Sequence, residues 1–214
     1  MRCTAAADDS KEEFFMSRTK KRGLPLDKMV LGALLTALVV VLQFAGAFVK
    51  FGAFSVSLVM VPIALGAILC GPIIGAWLGL VFGVVVLLSG DAAWFMGFNA
   101  FGTIVTVILK GTLAGFASGI VYKVVSLFHR NAASIAAAIV CPIVNSGVFA
   151  AGCYIFFYSD LTGNLAEAGY VDTSAYIFFG LIGVNFLFEL LLNTVLSPVI
   201  AYLVGLSKRL FGKK

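Results

Sequence analysis

The sequence of 214 residues is poor in charged side chains, and this scarcity is its most informative feature. Charged residues make up 12% of the chain and apolar residues 61%, whereas soluble domains average about 25% and about 45–50%. That composition excludes a soluble globular protein. A helical membrane span takes about 20 apolar residues, so six spans would fill most of the chain and leave too little for a second catalytic domain.

Catalytic and metal-binding motifs are also absent from the sequence. It has no Walker A motif, zinc motif or nucleophile elbow, and its one histidine, His129, lies between two apolar stretches. The four cysteines, Cys3, Cys70, Cys141 and Cys153, have no CxxC spacing, and three of them lie inside apolar segments. We therefore expect no enzyme, no metal site and no cofactor. Buried thiols are favoured over a disulfide framework.

The basic residues do not form a patch that would bind nucleic acid. The net charge is +5, but Lys and Arg lie in the terminal segments and short loops, so we expect no nucleic-acid partner. Residues 1–28 mix acidic and basic side chains with glycine and proline, which predicts a mobile cytosolic leader. Residues 207–214 are interpreted as a basic cytosolic tail.

The apolar stretches predict an all-α integral membrane bundle of six spans in residues 29–206. Residues 54–88 carry no charge, and one helix of that length would be about 52 Å long against a hydrocarbon core of about 30 Å. Gly71-Pro72 is the expected break. The predicted spans are 29–48, 56–69, 73–88, 103–122, 132–158 and 175–206, the last interrupted by Pro198.

The distribution of basic residues predicts that both termini are cytosolic. With six spans and an inner N-terminus, 13 of the 15 Lys and Arg residues fall on the inner side, as the positive-inside rule requires. Of the other two, Lys50 lies in an outer loop and Lys110 inside a span. Treating 54–88 as one span would move the loop 123–130 and the basic C-terminus outside.

Glycines recur at every fourth position in the third and fourth predicted spans. They are Gly71, Gly75, Gly79 and Gly83 in the third, and Gly111, Gly115 and Gly119 in the fourth. Such stripes let helix backbones approach closely in lipid. They predict a tight bundle, with a sliding surface as the alternative.

Four polar side chains lie at similar depth in the predicted spans. Placed at helical rise, Lys110, Asn145 and Glu189 are about 13, 18 and 20 Å below the outer boundary, and Asn185 shares a helix face with Glu189. A charge near the bilayer centre costs at least about 2.5–3.5 kcal/mol, so Lys110 and Glu189 favour a pair. The four residues predict a polar binding pocket between spans four, five and six. The alternative is a structural ion pair, with the asparagines joining helices.

The outer loop 89–102 has the composition of a lid. It combines aromatic residues such as Trp94 with glycines and with polar residues such as Asn99. Aromatic stacking with a few orienting polar groups is typical of small-molecule sites, so Trp94 and Asn99 join the predicted binding residues. Aromatic anchors at the membrane surface are the alternative.

The layout of the chain resembles a known family of membrane proteins. The features are a basic leader, Ala33-x-x-x-Ala37 in the first helix, and a Gly-Asp-aromatic loop that follows the run SLVMVPIALGAILCGPIIGAWLGLVFG. Over about residues 29–206 they resemble the substrate-binding S components of energy-coupling factor (ECF) vitamin transporters.

This resemblance implies a subunit that binds a vitamin and works with a membrane scaffold subunit and two cytosolic ATPases in a prokaryotic-type plasma membrane. It further implies that Ala33 and Ala37 face the scaffold, and that the site lies in the outer half of the bundle beneath the loops. Lys110 suits a carboxylate, which favours pantothenate or folate. Riboflavin or another neutral vitamin stays possible if Glu189 neutralises Lys110.

Two other functions remain open from the sequence. One is a self-sufficient secondary transporter driven by protons through Glu189, although the duplicated halves common in such carriers are not evident here. The other is a membrane assembly subunit whose glycine stripes pack against a larger complex.

Overall fold

The computed structural model describes residues 26–47, 50–51, 54–55, 58–163 and 169–211, and these residues are almost entirely helical. The predicted leader up to residue 25 and the tail from residue 212 lie outside this part of the chain. The helices are α1 (Leu26–Ala47), α2 (Met60–Cys70), α3 (Pro72–Leu88), α4 (Ala93–Phe98), α5 (Ala100–Val125), α6 (Arg130–Gly152), α7 (Tyr158–Gly163), α8 (Thr173–Ala175) and α9 (Val184–Phe211). The all-α class is thus confirmed.

Two π-helical segments and one small hairpin complete the fold in the described ranges. Cys153–Phe157 joins α6 to α7, and Tyr176–Gly183 joins α8 to α9. Strands β1 (Lys50–Phe51) and β2 (Phe54–Ser55) pair antiparallel, with Phe51 opposite Phe54. The strands lie between the first and second predicted spans, where the sequence analysis assigned no element.

Helix α1 has one buried and one exposed face in the compact unit that begins at Leu31. Leu35, Val39 and Gln43 follow one another at four-residue spacing and are at most 3% exposed. Ala33 and Ala37 lie on the opposite, exposed side. A helix with this pattern packs one face inward and leaves the other for lipid or a partner.

Within the described ranges, four helical stretches are long and apolar enough to cross a membrane. They are Lys28–Gly46, Ala100–Val125, Ala132–Gly163 and Thr173–Ile200. Helices α2 and α3 are shorter apolar helices, and at 1.5 Å per residue they are about 16 and 25 Å long. The chain is therefore a multi-helix membrane protein by length and composition.

The predicted break at Gly71-Pro72 is confirmed. Gly71 adopts a φ of 104°, and its N–H donates to the Ala67 carbonyl at 3.1 Å, which ends α2. Pro72 then occupies the first turn of α3, where its missing N–H leaves no helical acceptor unmet. The uncharged stretch thus forms two helices.

The two glycine stripes bring α3 and α5 into backbone contact. A Cβ atom on Gly79 would overlap the Gly111 carbonyl, and one on Gly115 would overlap the Gly75 carbonyl. The absence of side chains is therefore a packing requirement at these positions. The tight bundle predicted from the stripes is observed at this helix pair.

The prediction that Pro198 interrupts the last span is wrong. Helix α9 continues through Pro198 to Phe211. A proline cannot donate to the carbonyl four residues earlier, which here belongs to Thr194. The Ser197 hydroxyl donates to that carbonyl instead, at 2.7 Å, so the acceptor is satisfied and the helix continues.

The outer loops contain more helix than the sequence analysis assigned to them. Helix α4 lies within the predicted loop 89–102, and α7 and α8 extend into the segment between the fifth and sixth predicted spans. Buried side chains of α4, α7 and the π-helical segments pack together there, among them Phe95, Phe157 and Leu181. This apolar packing orders the end of the bundle nearest the site.

Candidate functional site

A cavity lies among α1, α3, α5, α6 and α9, beneath α4 and the turn before it. Its polar lining consists of Gln43, Asp91, Lys110, Asn145, Ser146, Asn185 and Glu189. Aromatic rings of Phe82, Phe95 and Phe149 form much of the remaining wall. The free space is about 70 Å³, which holds a few water molecules.

Lys110, Asn145, Asn185 and Glu189, predicted to share a pocket, all line this cavity. They come from α5, α6 and α9, so the packing of three helices brings them together and not their proximity in the sequence. Polar groups at membrane depth must turn away from lipid toward one another or toward a wet space. That constraint explains why their depths along the sequence indicated a shared location.

The Glu189 carboxylate is held by two asparagine side chains. Asn185 Nδ2 donates to Oε1 at 3.2 Å, and Asn145 Nδ2 donates to Oε2 at 3.5 Å. Glu189 is 1% exposed. Asn193, which shares this face of α9, donates instead to the Glu189 backbone carbonyl at 2.9 Å. The carboxylate is thus held by one hydrogen bond from α6 and one from the preceding turn of α9.

The Lys110 ammonium group rests against aromatic rings. Its Nζ atom lies 4.8 Å from the centroid of Phe149 and 5.9 Å from that of Phe82. Such cation–π contacts stabilise a charge away from bulk water. Within the described chain, Lys110 and Glu189 therefore share a cavity without forming the direct ion pair that the sequence suggested.

A hydrogen bond between distant residues closes the cavity toward the lid. Gln43 Nε2 of α1 donates to Asp91 Oδ2 in the turn before α4, at 2.7 Å. In the sequence analysis Asp91 entered only as the acid of the Gly-Asp-aromatic loop, and Gln43 was missed. The signal for Gln43 was its place one turn after Val39, on the buried face of α1.

Residues 27–201 match the family of ECF transporter substrate-specific components. The chain belongs to this family. No curated protein and no solved structure shows significant similarity to it. The matched range contains every residue that lines the cavity. The resemblance identified from the sequence is therefore confirmed, and the chain is a substrate-binding subunit of a transporter rather than a member of an enzyme family.

Two other predicted binding residues of this S component lie outside the cavity lining. Asn99 caps α5, because its Oδ1 accepts a hydrogen bond from the Gly102 N–H at 2.9 Å. Trp94 is 42% exposed, and its ring packs edge-to-face on Phe95 and Phe98, each at 4.8 Å. Both shape the lid in this structure, and ligand contact by either one stays a prediction.

The cysteines of the S component behave as buried apolar side chains. Cys70, Cys141 and Cys153 are at most 5% exposed, and no disulfide joins them. Cys3 lies outside the described residues. Among the described residues, no group of three or more His, Cys, Asp or Glu side chains is placed to hold a metal ion.

Proposed function

We propose that this S component captures a vitamin or related micronutrient outside the cell and delivers it inward with a scaffold subunit and two cytosolic ATPases. The observation that carries the proposal is the convergence of polar residues from α5, α6 and α9 on one aromatic-walled cavity under a lid. A small number of placed polar groups within an apolar wall is the usual composition of a small-molecule site.

Capture of a vitamin requires the lid to move. Sites for such ligands usually have about 300 Å³ or more of space, whereas this cavity has about 70 Å³. Helix α4 and the Asp91 turn cover it, and the Gln43–Asp91 hydrogen bond is one contact that ties this cover to α1. We infer that the ligand reaches the cavity when this bond opens.

The topology that fits this function has six spans with both termini in the cytosol of a prokaryotic-type cell. Helices α2 and α3 serve as short spans joined at Gly71, supported by the charge distribution that places 13 of 15 basic residues inside. The cavity then lies in the outer half of a plasma-membrane bundle. Residues 1–28 and 207–214 would form the cytosolic leader and tail.

The exposed face of α1 is proposed to dock on the scaffold subunit. Ala33 and Ala37 are one turn apart on this face, and small residues allow a second helix to approach closely. Replacing both by leucine should reduce copurification with a coexpressed scaffold and ATPase module at least tenfold. Ala45→Leu, the same change at another exposed position of α1, is the control. Equal copurification of all three proteins would remove this interface.

Reconstituted transport tests the function as a whole. The protein, incorporated with an ECF scaffold and ATPases into vesicles, should take up the small molecule that mass spectrometry identifies in the purified S component. Uptake should require ATP hydrolysis. Uptake that proceeds with a catalytically inactive ATPase would contradict the proposal.

A proton-driven secondary transporter is the second candidate, and one observation favours it. Glu189 is a fully buried carboxylate at the cavity wall, and buried acids at membrane depth serve as proton carriers in many transporters. In that case the protein alone, in vesicles with an imposed pH gradient, would accumulate substrate, and Glu189→Gln would abolish accumulation. The ECF module would have no effect.

A further inference from the structure

The cavity wall carries more acidic than basic side chains. Asp91 and Glu189 are carboxylates, which can only accept when ionised, and both line the cavity. Lys110 is the one cation among the described lining residues. The two acids therefore outnumber the bases in the wall.

Each of the three amide side chains uses one of its two N–H donors on an acid of the wall. Asn145 and Asn185 direct their NH₂ groups to Glu189, and Gln43 directs its NH₂ group to Asp91. A carboxylate partner fixes these orientations, since it offers no hydrogen to a carbonyl oxygen. Each amide thereby stabilises a carboxylate charge through an N–H, and its own oxygen can accept a hydrogen bond from another donor.

Asn145 Oδ1 is an acceptor that still needs a donor. Asn145 is 4% exposed and lines the cavity, and within the described chain its Oδ1 has no hydrogen-bond partner. A buried acceptor without a donor costs about 1–3 kcal/mol. An N–H group brought by a ligand would remove that penalty.

We propose that the ligand of this S component carries a positively charged nitrogen, bound by Glu189, Asn145 Oδ1 and Asp91. This inference rests on the proposed function and names the substrate class of the same cavity. Lys110 lies on the Phe149 ring and is available to donate to an acceptor atom elsewhere on the ligand.

The proposal reverses the preference for anionic vitamins that Lys110 suggested from the sequence. A lone lysine in the sequence indicated a partner for a carboxylate. In the folded protein that lysine shares the cavity with two carboxylates, and the buried Glu189 carboxylate would repel a wholly anionic ligand. Pantothenate and 4-pyridoxate then become the negative controls of the experiment.

Matched probes of opposite charge test the proposal on the full chain in lipid nanodiscs. Pyridoxamine carries an ammonium group where 4-pyridoxate carries a carboxylate, and thiamin and pantothenate form a second cation and anion pair. Ligand-dependent thermal stabilisation and calorimetry measure binding. We expect at least one of the two cationic probes to bind at least tenfold more tightly than its anionic counterpart.

Variants connect the charge preference to the cavity. Glu189→Gln and Asp91→Asn keep side-chain shape and should each weaken binding of the cationic probe at least tenfold. Asp160→Asn removes an exposed acid of α7 outside the cavity and should leave affinity within twofold. If Glu189→Gln lowers thermal stability, Asp91→Asn still tests the proposal, because residue 91 lies in the lid turn and not in the centre of the bundle.

The outcomes separate the ligand class from the transport role. Tighter binding of an anionic probe, or binding of neither cationic probe, overturns the proposed ligand class. So does equal affinity of wild type and both cavity variants. Cation binding by a protein that neither associates with an ECF module nor supports ATP-dependent uptake would contradict the proposed function and leave the ligand class standing.

Discussion

Gln43 and Asp91 are 48 residues apart in the sequence and joined by a 2.7 Å hydrogen bond in the fold. The bond connects the buried face of α1 to the turn that leads into α4. Because the exposed face of the same helix carries Ala33 and Ala37, α1 lies between the cavity and the proposed scaffold interface. Movement of α1 on docking would therefore act directly on the lid.

Removing the Gln43 donor should open the lid more often. In a background with Ala92→Cys, a lid residue that is 4% exposed, Gln43→Ala should increase labelling by a membrane-impermeant maleimide about tenfold. The expectation follows because a hydrogen bond to a charged group contributes about 1.5–3 kcal/mol. Labelling on intact cells measures it.

The matched control for the lid is Thr36→Val, which removes a hydroxyl that bonds only within α1, to the Gly32 carbonyl. This variant should label at the rate of its parent. Labelling of Gln43→Ala at that same rate would show that the bond does not hold the lid.

The two asparagines that flank Glu189 on α9 should differ in their effect on ligand binding. Asn185 donates to the carboxylate in the cavity, whereas Asn193 donates to a backbone carbonyl. Asn185→Ala should weaken binding of the small molecule identified in the purified protein at least tenfold, since the Glu189 carboxylate loses one charge-assisted hydrogen bond that orients it in the cavity. Asn193→Ala should leave affinity within threefold. Calorimetry on both variants measures the difference, and equal losses would place the ligand away from Asn185.

The sequence contains enough information to place the deep polar residues but too little to identify the hydrogen bond that holds the lid. Lys110, Asn145, Asn185 and Glu189 could be grouped because hydrocarbon forces each of them inward. Gln43 escaped notice because a neutral amide near a helix end violates no such rule. Asn99 was assigned to the ligand, although an Asn before a helical stretch also caps it, and a single sequence does not separate the two roles.

A helix break could be predicted from the sequence only where neighbouring residues both end one helix and start the next. Gly71-Pro72 combines a residue that allows positive φ with one that starts a helix, and the break occurs there. Pro198 looks equally disruptive in the sequence. Its effect depends on whether a neighbouring side chain reaches one particular carbonyl, and that depends on the Ser197 rotamer rather than on composition.

The contact between α3 and α5 should not tolerate a methyl group at Gly79. A Cβ there would overlap the Gly111 carbonyl, and overpacking of this kind typically costs about 1–3 kcal/mol. Gly79→Ala should lower the thermal unfolding temperature in detergent by several degrees. Gly97→Ala, in α4 where an added Cβ meets open space, is the control and should unfold at or above the wild-type temperature. Equal unfolding temperatures would mean that the stripes do not set the helix spacing.

A double-mutant cycle at Ser197 and Pro198 tests why α9 stays continuous. In the wild type the Ser197 hydroxyl donates to the Thr194 carbonyl, so Ser197→Ala should destabilise the protein by about 1 kcal/mol. In the Pro198→Ala background the restored N–H of residue 198 can take the same carbonyl, and Ser197→Ala should then cost less than half as much. The cycle isolates the shared acceptor because each single change alters one donor to it. Equal costs in the two backgrounds, measured by unfolding in detergent, would show that the hydroxyl stabilises α9 for a reason unrelated to the proline.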